Sequence, residues 1–329
     1  MGTRAPVVPL ALGALLLLFP TSCSTNGDET RDYRADMRTF VERISTYARG
    51  KHPGFLIIPQ NGHDLVTLDG TPDGTPAAEY LAAVDGLGRE DLFYGYTEDD
   101  SATPADVTAV ILPFLRTAHG AGKSILVTDY CWTPGHVTDS YSKNHAENFL
   151  SFAAPDRSLN TIPSGDPYGK NVDPIAALSQ AANFLYLLDP SGYSTRTALV
   201  ADLDRTLYDL FIIDSFFQSD DPLMPADVAA LQSKPAGDAR RLAVAYMSIG
   251  EAESYRYYWK SSWNTNPPAW LAAENPAWPG NYKVKYWDPA WQAIIFGSPD
   301  AYLDRILDAG FDGAYLDIID AFEYFEGQE

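Results

Sequence analysis

Eight short apolar runs recur along the body of the chain. They occupy residues 55–58, 92–94, 124–127, 183–188, 210–213, 242–246, 283–286 and 313–316. Strands that are apolar on both faces belong to parallel sheets whose two faces are covered by helices. The pattern therefore predicts a set of buried parallel strands.

Amphipathic stretches lie between most of these runs. Apolar residues three and four positions apart predict helices over 35–49 and 107–115. Ser298 followed by Pro299 predicts the start of another helix, which Gly310 closes. Eight strands with intervening helices predict a (β/α)8 TIM barrel that forms a single domain over residues 35–329. A doubly wound open sheet is the competing fold, although no Gly-rich phosphate loop follows a predicted strand.

Residues 1–22 have the pattern of an export signal. Arg4 precedes an apolar run over 7–19 that is too short to cross a bilayer comfortably. Small residues directly before Cys23 resemble the bacterial lipoprotein signal, in which that cysteine is lipidated. The alternative is an ordinary cleaved secretory signal. Residues 23–34 are mostly polar and predict a flexible tether.

We therefore expect an exported protein, anchored to a membrane through lipid at Cys23 in the cell envelope or at the cell surface, and otherwise secreted. Cys131 is the second of two cysteines. Because Cys23 is expected to be lipidated, no internal disulfide can form. Cys131 lies just past an apolar run, so we expect a buried structural thiol rather than a nucleophile.

The chain is strongly acidic. Its 329 residues carry 23 Lys and Arg against 44 Asp and Glu, which gives a formal net charge of −21. Affinity for nucleic acid depends on Lys and Arg at phosphates, so nucleic acid is excluded as an expected partner. An aromatic content of 13% also excludes an acidic disordered chain.

Polar groups lie at or near the end of almost every apolar run. They are Gln60, Asn61, Glu90, Asp129, Asp189, Asp214, Glu251, Glu253, Asp288, Asp317 and Asp320. The carboxyl ends of barrel strands meet at one mouth, where catalytic residues lie. Carboxyl groups crowded there would have separated pKa values, and a protonated acid beside a carboxylate is what glycoside hydrolysis requires. The five histidines are scattered, so no metal site or cofactor is expected.

Aromatic residues are dense between 255 and 291. They are Tyr255, Tyr257, Tyr258, Trp259, Trp263, Trp270, Trp278, Tyr282, Tyr286, Trp287 and Trp291. Flat rings stack on the apolar faces of pyranoses and attract cations. The segment therefore indicates a sugar site, although about half of these rings could equally pack the loop itself.

Five segments together resemble glycoside hydrolase family 114, which contains the endo-α-1,4-polygalactosaminidases. They are YMSIGEAESYRYYW at 246–259, WPGNYKVKYWDP at 278–289, GFDGAYLDIID at 310–320, PQNG at 59–62 and the segment 85–92. In that family the segments similar to 183–320 come first and those similar to 37–131 follow. The chain therefore resembles a circular permutant, with the old ends joined near 154–173.

The resemblance implies a (β/α)8 barrel that cleaves an α-1,4-linked exopolysaccharide containing galactosamine. It implies Asp317 and Glu90 as the catalytic pair. The residues expected to line the substrate site are Gln60, Asn61, Asp129, Asp214, Glu251, Glu253, Arg256, Trp259 and Trp287. A cationic polysaccharide would suit the acidic cleft.

The sequence leaves the roles of the two carboxyl groups and two alternative functions open. Either carboxyl group could be the general acid, and their separation decides between retention and inversion of configuration. A non-catalytic polysaccharide-binding lipoprotein is one alternative function. A glycosidase that acts on a neutral α-glycan is another.

Overall fold

The computed structural model describes residues 31–218, 221–235 and 239–328. The predicted signal segment and Cys23 lie outside the described residues, as does the predicted tether up to residue 30. Among the helices of these ranges, none combines the length and the apolar character that a membrane crossing requires.

The described elements alternate between strands and helices. The helices are α1 (Tyr33–Lys51), α2 (Ala78–Ala83), α3 (Ala105–Gly120), α4 (Pro134–Ala146), α5 (Arg196–Asp204), α6 (Pro225–Leu231), α7 (Pro289–Ile295), α8 (Tyr302–Ala309) and α9 (Ala321–Glu326). The strands are β1 (Leu56–Pro59), β2 (Gly86–Glu90), β3 (Ser124–Tyr130), β4 (Leu150–Ala154), β5 (Phe184–Leu187), β6 (Leu210–Asp214), β7 (Phe216–Gln218), β8 (Asp221–Pro222), β9 (Leu242–Ser248), β10 (Glu251–Glu253), β11 (Leu271–Glu274), β12 (Asn281–Val284) and β13 (Gly313–Asp317).

Eight of the strands are parallel and follow one another in two sheets. One sheet has the order β1-β13-β9-β6-β5, and the other has the order β2-β3-β4. A parallel bridge between Gln60 and Gly88 joins β1 to β2. At the other junction the rings of Phe152 on β4 and Phe184 on β5 lie 5.9 Å apart. This mixed α/β fold with a parallel central sheet is compatible with a TIM-like barrel.

The parallel strands form the core because their side chains are apolar on both faces. All seven residues of β9 are buried. Helix α1 covers the sheet with Met37, Phe40 and Ile44, each fully buried, and its N-terminus is capped by Asp32, which accepts a 2.8 Å hydrogen bond from the amide of Ala35. The predicted helices over 35–49 and 107–115 are confirmed as parts of α1 and α3. The helix predicted from Ser298 begins later, at Tyr302, and is closed by Gly310 as predicted.

Two strand predictions were wrong and one strand was missed. Residues 92–94 follow a strand instead of forming it, because β2 occupies 86–90. Strand β2 contains glycines, which give no hydrophobic signal. Glycine is required at position 88, because a Cβ there would lie 1.9 Å from the hydroxyl of Tyr315. Residues 281–284 form β12 in a separate antiparallel sheet, β10-β12-β11. Strand β4 was missed because Ser151, Ala153 and Ala154 weaken its apolar pattern.

Candidate active site

A cavity of about 850 Å³ opens at the carboxyl ends of the parallel strands. Seven of the eight strands contribute a lining residue at or just beyond their last position. These residues are Gln60, Glu90, Tyr130, Leu188, Asp214, Ser248 and Asp317. Parallel strands bring residues that are far apart in sequence to one edge, so the local sequence at each strand end builds this site.

Glu90 ends β2 and accepts hydrogen bonds at both of its carboxyl oxygens. Nε2 of Gln60 donates to Oε2 at 2.6 Å, and Nδ2 of Asn61 lies 3.4 Å from the same oxygen. The hydroxyl of Tyr130 donates to Oε1. Gln60 is itself fixed by the hydroxyl of Tyr186, which donates to its Oε1 at 2.8 Å. These neutral donors orient the Glu90 side chain towards the cavity.

Asp317 ends β13 in a different environment. Burial and, to a smaller extent, the negative charge of Glu90 raise the pKa of Asp317 from its ordinary value of 3.8 to about 8. Two donors oppose this shift, because the hydroxyl of Tyr246 donates to Oδ2 at 2.7 Å and the amide of Ile318 donates to Oδ1 at 2.8 Å. Asp317 is therefore largely protonated at neutral pH.

The strand register places these two carboxyl groups on either side of β1. Pro59 on β1 pairs with Leu316 on β13, directly before Asp317. Gln60, the next residue after Pro59, pairs with Gly88 on β2. Neighbouring strands lie about 4.8 Å apart, so roughly two strand spacings separate the backbones of Asp317 and Glu90. The two carboxyl groups therefore share one cavity.

Arg256 joins two further carboxylates at the wall of the cavity. Its guanidinium binds Asp214 through two nitrogens, at 2.9 and 2.8 Å, and its Nε lies 2.7 Å from Oε2 of Glu253. The hydroxyl of Tyr255 donates to Oε1 of Glu253 at 2.6 Å. Arg256 is buried, so the two carboxylates balance a charge that is largely removed from solvent.

Glu251 and Asp320 form a second acidic pair in the lining. Nζ of Lys283 lies 2.6 Å from Oε1 of Glu251, and Nδ2 of Asn275 donates to the same oxygen at 2.8 Å. Burial raises the pKa of Asp320, and the charge of Lys283 opposes that rise. The predicted lining residues Gln60, Asn61, Asp214, Glu251, Glu253 and Arg256 all lie in this cavity, together with Glu90 and Asp317.

Asp129, which the sequence placed at the substrate site, lies outside the cavity lining. It is fully buried and points away from the mouth. Its oxygens accept hydrogen bonds from the amides of Phe93 and Tyr94, from Ser140 and from Asn144. Side chains alternate along a strand, so Tyr130 faces the cavity and its neighbour Asp129 faces α4. Its contacts hold the loop after β2 against that helix.

Trp259 and Trp287 also lie outside the cavity lining. Trp259 packs against Trp263 and Tyr282, with ring centroids 5.2 and 5.0 Å away. Trp287 packs against Tyr33 and Phe325 near the start of α1. The aromatic rings that do line the cavity include Tyr255 and Trp278 from the same sequence segment.

Several lining residues were not predicted. Tyr130, Tyr186 and Tyr246 are buried tyrosines whose hydroxyl groups face polar partners in the cavity. Arg157 comes from the loop that follows β4, and its guanidinium carbon lies 3.9 Å from the centroid of the Tyr130 ring. A tyrosine among the last residues of a parallel strand is a signal that could have identified the first three.

Within residues 31–218, 221–235 and 239–328, no group of three or more His, Cys, Asp and Glu side chains could hold a metal ion. Cys131 is buried as expected, and burial raises the pKa of its thiol to about 12. A thiol in this state is a poor nucleophile at neutral pH.

Comparison with known proteins finds a family model that matches the carboxyl-terminal part of the chain. Residues 171–329 match the model described as Glycoside-hydrolase family GH114. This match confirms the resemblance drawn from the motifs at 246–259, 278–289 and 310–320. The motifs at 59–62 and 85–92 lie outside the matched residues, so the match includes Asp317 but does not reach Glu90.

Three relatives are similar over part of their length. An uncharacterized protein of Thermotoga maritima is 44% identical over 133 residues, which are 40% of this chain and 39% of that protein. An uncharacterized protein of Methanocaldococcus jannaschii is 38% identical over 156 residues, 47% of this chain and 42% of the relative. An uncharacterized protein of Deinococcus radiodurans is 47% identical over 116 residues, 35% and 34% respectively. The chain thus spans less than half the length of each relative.

Proposed function

We propose that the protein is a glycoside hydrolase with Asp317 and Glu90 as its catalytic pair, because residues 171–329 match the model of glycoside-hydrolase family GH114. The observation that carries this proposal is the contrast between the two carboxyl groups in one cavity. Asp317 has a pKa raised to about 8 by burial, whereas Glu90 is surrounded by neutral hydrogen-bond donors. Glycoside hydrolysis requires one protonated and one ionised carboxyl group.

In this mechanism Asp317 is the general acid. It donates its proton to the glycosidic oxygen as the bond from that oxygen to the anomeric carbon breaks. Glu90 then acts on the anomeric carbon as a nucleophile, or it removes a proton from the water that attacks it. If Glu90 is the nucleophile, it forms a glycosyl ester with the anomeric carbon. Water then attacks that carbon while the ionised Asp317 removes a proton from the water, and the Glu90 carboxylate is released.

The substrate we propose is an α-1,4-linked polysaccharide that contains galactosamine. Carboxyl groups greatly outnumber guanidinium groups in the cavity lining. The acidic residues are Glu90, Asp189, Asp214, Glu251, Glu253, Asp317 and Asp320, against Arg157 and Arg256. Free amino groups make such a polymer cationic, so the negative potential of the cavity would concentrate it.

Product analysis tests this function directly. The full chain is incubated with partly deacetylated galactosaminogalactan and with a neutral α-glucan, and the products are identified by mass spectrometry. Asp317→Asn and Glu90→Gln should each abolish release of oligosaccharides. The matched controls are Asp300→Asn, whose carboxyl group is 94% exposed, and Glu79→Gln on the exposed face of α2; both should cleave like the wild type.

The outcomes separate the alternatives. Wild-type cleavage by Asp317→Asn and Glu90→Gln would remove both residues from catalysis. Release from the neutral glucan alone would indicate a glycosidase of neutral specificity. Saturable binding without any product would indicate a polysaccharide-binding protein that does not turn its ligand over.

We also propose that the parallel strands close into a circularly permuted (β/α)8 barrel. The bridge between Gln60 and Gly88 and the contact between Phe152 and Phe184, at the two junctions of the sheets, support closure. The order of the segments that resemble the family supports the permutation. A variant in which residues 174–329 precede 35–173 should fold and cleave the same substrate. Failure of that variant to fold, with the wild type folded, would count against the permutation.

Export and lipid attachment at Cys23 remain part of the proposal. The full chain should partition into detergent when it is produced in a bacterial host. Cys23→Ser should move it to the aqueous phase. Equal partitioning of the two proteins would rule out the lipid anchor.

A further inference from the structure

The four tyrosines and the tryptophan that line the cavity fall into two groups by exposure. Tyr130, Tyr186 and Tyr246 are at most 9% exposed, and their hydroxyl groups are directed at other lining side chains. Tyr255 and Trp278 are 45% and 39% exposed. The first group belongs to the floor of the cavity, and the second forms part of its rim.

The rim residues are carried by an antiparallel sheet and not by the parallel strands. Tyr255 follows β10, and Trp278 lies in the turn between β11 and β12. The turn is placed against β10 by a 2.8 Å hydrogen bond from the amide of Ser254 to the carbonyl of Gly280. A Cβ on Gly280 would lie 3.9 Å from Cδ1 of Tyr255, so the turn runs alongside that ring.

The Tyr255 ring and the backbone turn that carries Trp278 are held in place before any ligand binds. The Tyr255 hydroxyl donates to Glu253 at 2.6 Å, and the guanidinium carbon of Arg256 lies 5.3 Å from the centroid of its ring. The turn that carries Trp278 is closed by the hydrogen bond from the amide of Asn281 to the carbonyl of Trp278, at 3.0 Å. Gly280 allows this closure because its φ is +91°. Preorganised rings lose little conformational entropy when a ligand stacks on them.

We propose that Trp278 and Tyr255 form an aromatic platform that stacks on a pyranose ring of the polysaccharide at least one unit away from the bond cleaved between Asp317 and Glu90. This inference rests on the proposed function. The Tyr255 hydroxyl donates to the carboxylate of Glu253, whose charge is balanced by Arg256. The platform therefore offers a sugar the apolar contact of its ring faces.

Chain-length dependence tests the platform. Purified α-1,4-linked galactosamine oligomers of increasing length are cleaved by the wild type and by Trp278→Ala. Loss of one ring contact should lower kcat/KM on long oligomers about tenfold, mainly through KM. The shortest oligomer that is cleaved cannot reach the rim, so its kcat/KM should change less than about twofold. Trp278→Phe should recover most of the loss because a smaller ring still stacks.

Trp132→Ala is the matched control. Trp132 is 50% exposed and lies outside the cavity lining, so its loss should leave every oligomer unaffected. Unchanged kcat/KM for Trp278→Ala on long oligomers would overturn the platform, and so would an equal loss at all lengths. If the wild type neither cleaves nor binds the oligomers, the proposed function fails and the platform with it. If the wild type cleaves but length has no effect, the platform alone is wrong.

Discussion

The hydroxyl of Tyr246 donates a 2.7 Å hydrogen bond to Oδ2 of Asp317. This bond favours the ionised carboxylate and therefore lowers the pKa of Asp317, whereas burial and the charge of Glu90 raise it to about 8. The protonation of Asp317 is thus set by opposing effects, of which burial is the largest. A general acid in this position would work at neutral pH and lose its proton in mildly alkaline solution.

Tyr246→Phe should move the alkaline limb of the pH–activity profile to higher pH. The substitution removes a donor that stabilises the ionised form of Asp317, so its pKa should rise. The measurement is kcat/KM against pH for the wild type, with a limb expected near pH 8, and for the variant. Tyr80→Phe is the control, because the Tyr80 hydroxyl is buried with no hydrogen-bond partner among the described residues. A limb that moves to lower pH in Tyr246→Phe would contradict the assignment of Asp317 as the acid.

Asp317→Asn should make the folded protein more stable than the wild type in alkaline solution. The folded-state pKa of Asp317 lies above its ordinary value of 3.8, so the folded protein holds a proton that the unfolded chain has already released. Between about pH 4 and pH 8 this group therefore destabilises the fold increasingly as pH rises, by up to about 1.4 kcal/mol per pH unit. An asparagine carries no such dependence.

Urea unfolding at pH 5 and pH 8.5 measures this difference. The gain in the free energy of unfolding for Asp317→Asn over the wild type should be larger at pH 8.5. Asp300→Asn, on an exposed carboxyl group, should show the same small difference at both values of pH. An advantage of Asp317→Asn that shrinks with rising pH would mean that Asp317 is ionised in the folded protein at low pH.

Tyr130→Phe should reduce kcat and leave the fold intact. The phenol of Tyr130 donates to Oε1 of Glu90, and Arg157 lies over its ring. Without the hydroxyl, Glu90 keeps only the contacts to Gln60 and Asn61 at its other oxygen. A hydrogen bond to a charged group contributes about 1.5–3 kcal/mol, which corresponds to a reduction of kcat by roughly 10- to 100-fold.

Steady-state kinetics with oligomers of one length separate this effect from a loss of stability. Thermal unfolding should give a similar Tm for Tyr130→Phe and for Tyr80→Phe, while only Tyr130→Phe loses activity. Wild-type kcat in Tyr130→Phe would show that the orientation of Glu90 does not depend on this hydroxyl.

The sequence predicted that several carboxyl groups lie close together, and one rule about parallel strands made this possible. Parallel strands end at one edge, and Glu90, Asp214 and Asp317 are each the last residue of their strand. The rule predicts that a residue lies at the carboxyl edge of the sheet, but it does not predict which face of the sheet its side chain is on. Asp129 satisfies it and still points to α4, because its position in β3 alternates with that of Tyr130.

Features set by contacts across the fold could not be predicted in the same way. Strand β2 was displaced in the prediction because Gly86 and Gly88 carry no hydrophobic signal, although Tyr315 leaves no room for a side chain at Gly88. The aromatic segment 255–291 was assigned to a sugar site as a whole, yet Trp259 and Trp287 pack in ring clusters and Trp278 reaches the cavity rim. Density of aromatic residues does not distinguish a ring that packs from a ring that is exposed.

Arg256→Met should destabilise the protein strongly, because two carboxylates in the cavity wall would lose their shared cation. Arg256 binds Asp214 through two nitrogens and Glu253 through Nε, and it is only 5% exposed. Removal of one partner from such a buried cluster costs about 3–5 kcal/mol, since the remaining charges are desolvated and uncompensated. Arg205→Met is the matched control, because Arg205 pairs with Asp202 in an exposed position and its loss should cost less than about 0.5 kcal/mol. Urea unfolding at pH 7 measures the free energy of unfolding of both variants.

A triple variant that combines Arg256→Met with Asp214→Asn and Glu253→Gln should recover much of the lost stability, because no uncompensated charge is left in the cavity wall. No recovery would mean that Arg256 stabilises the cavity wall through packing and not through its charge.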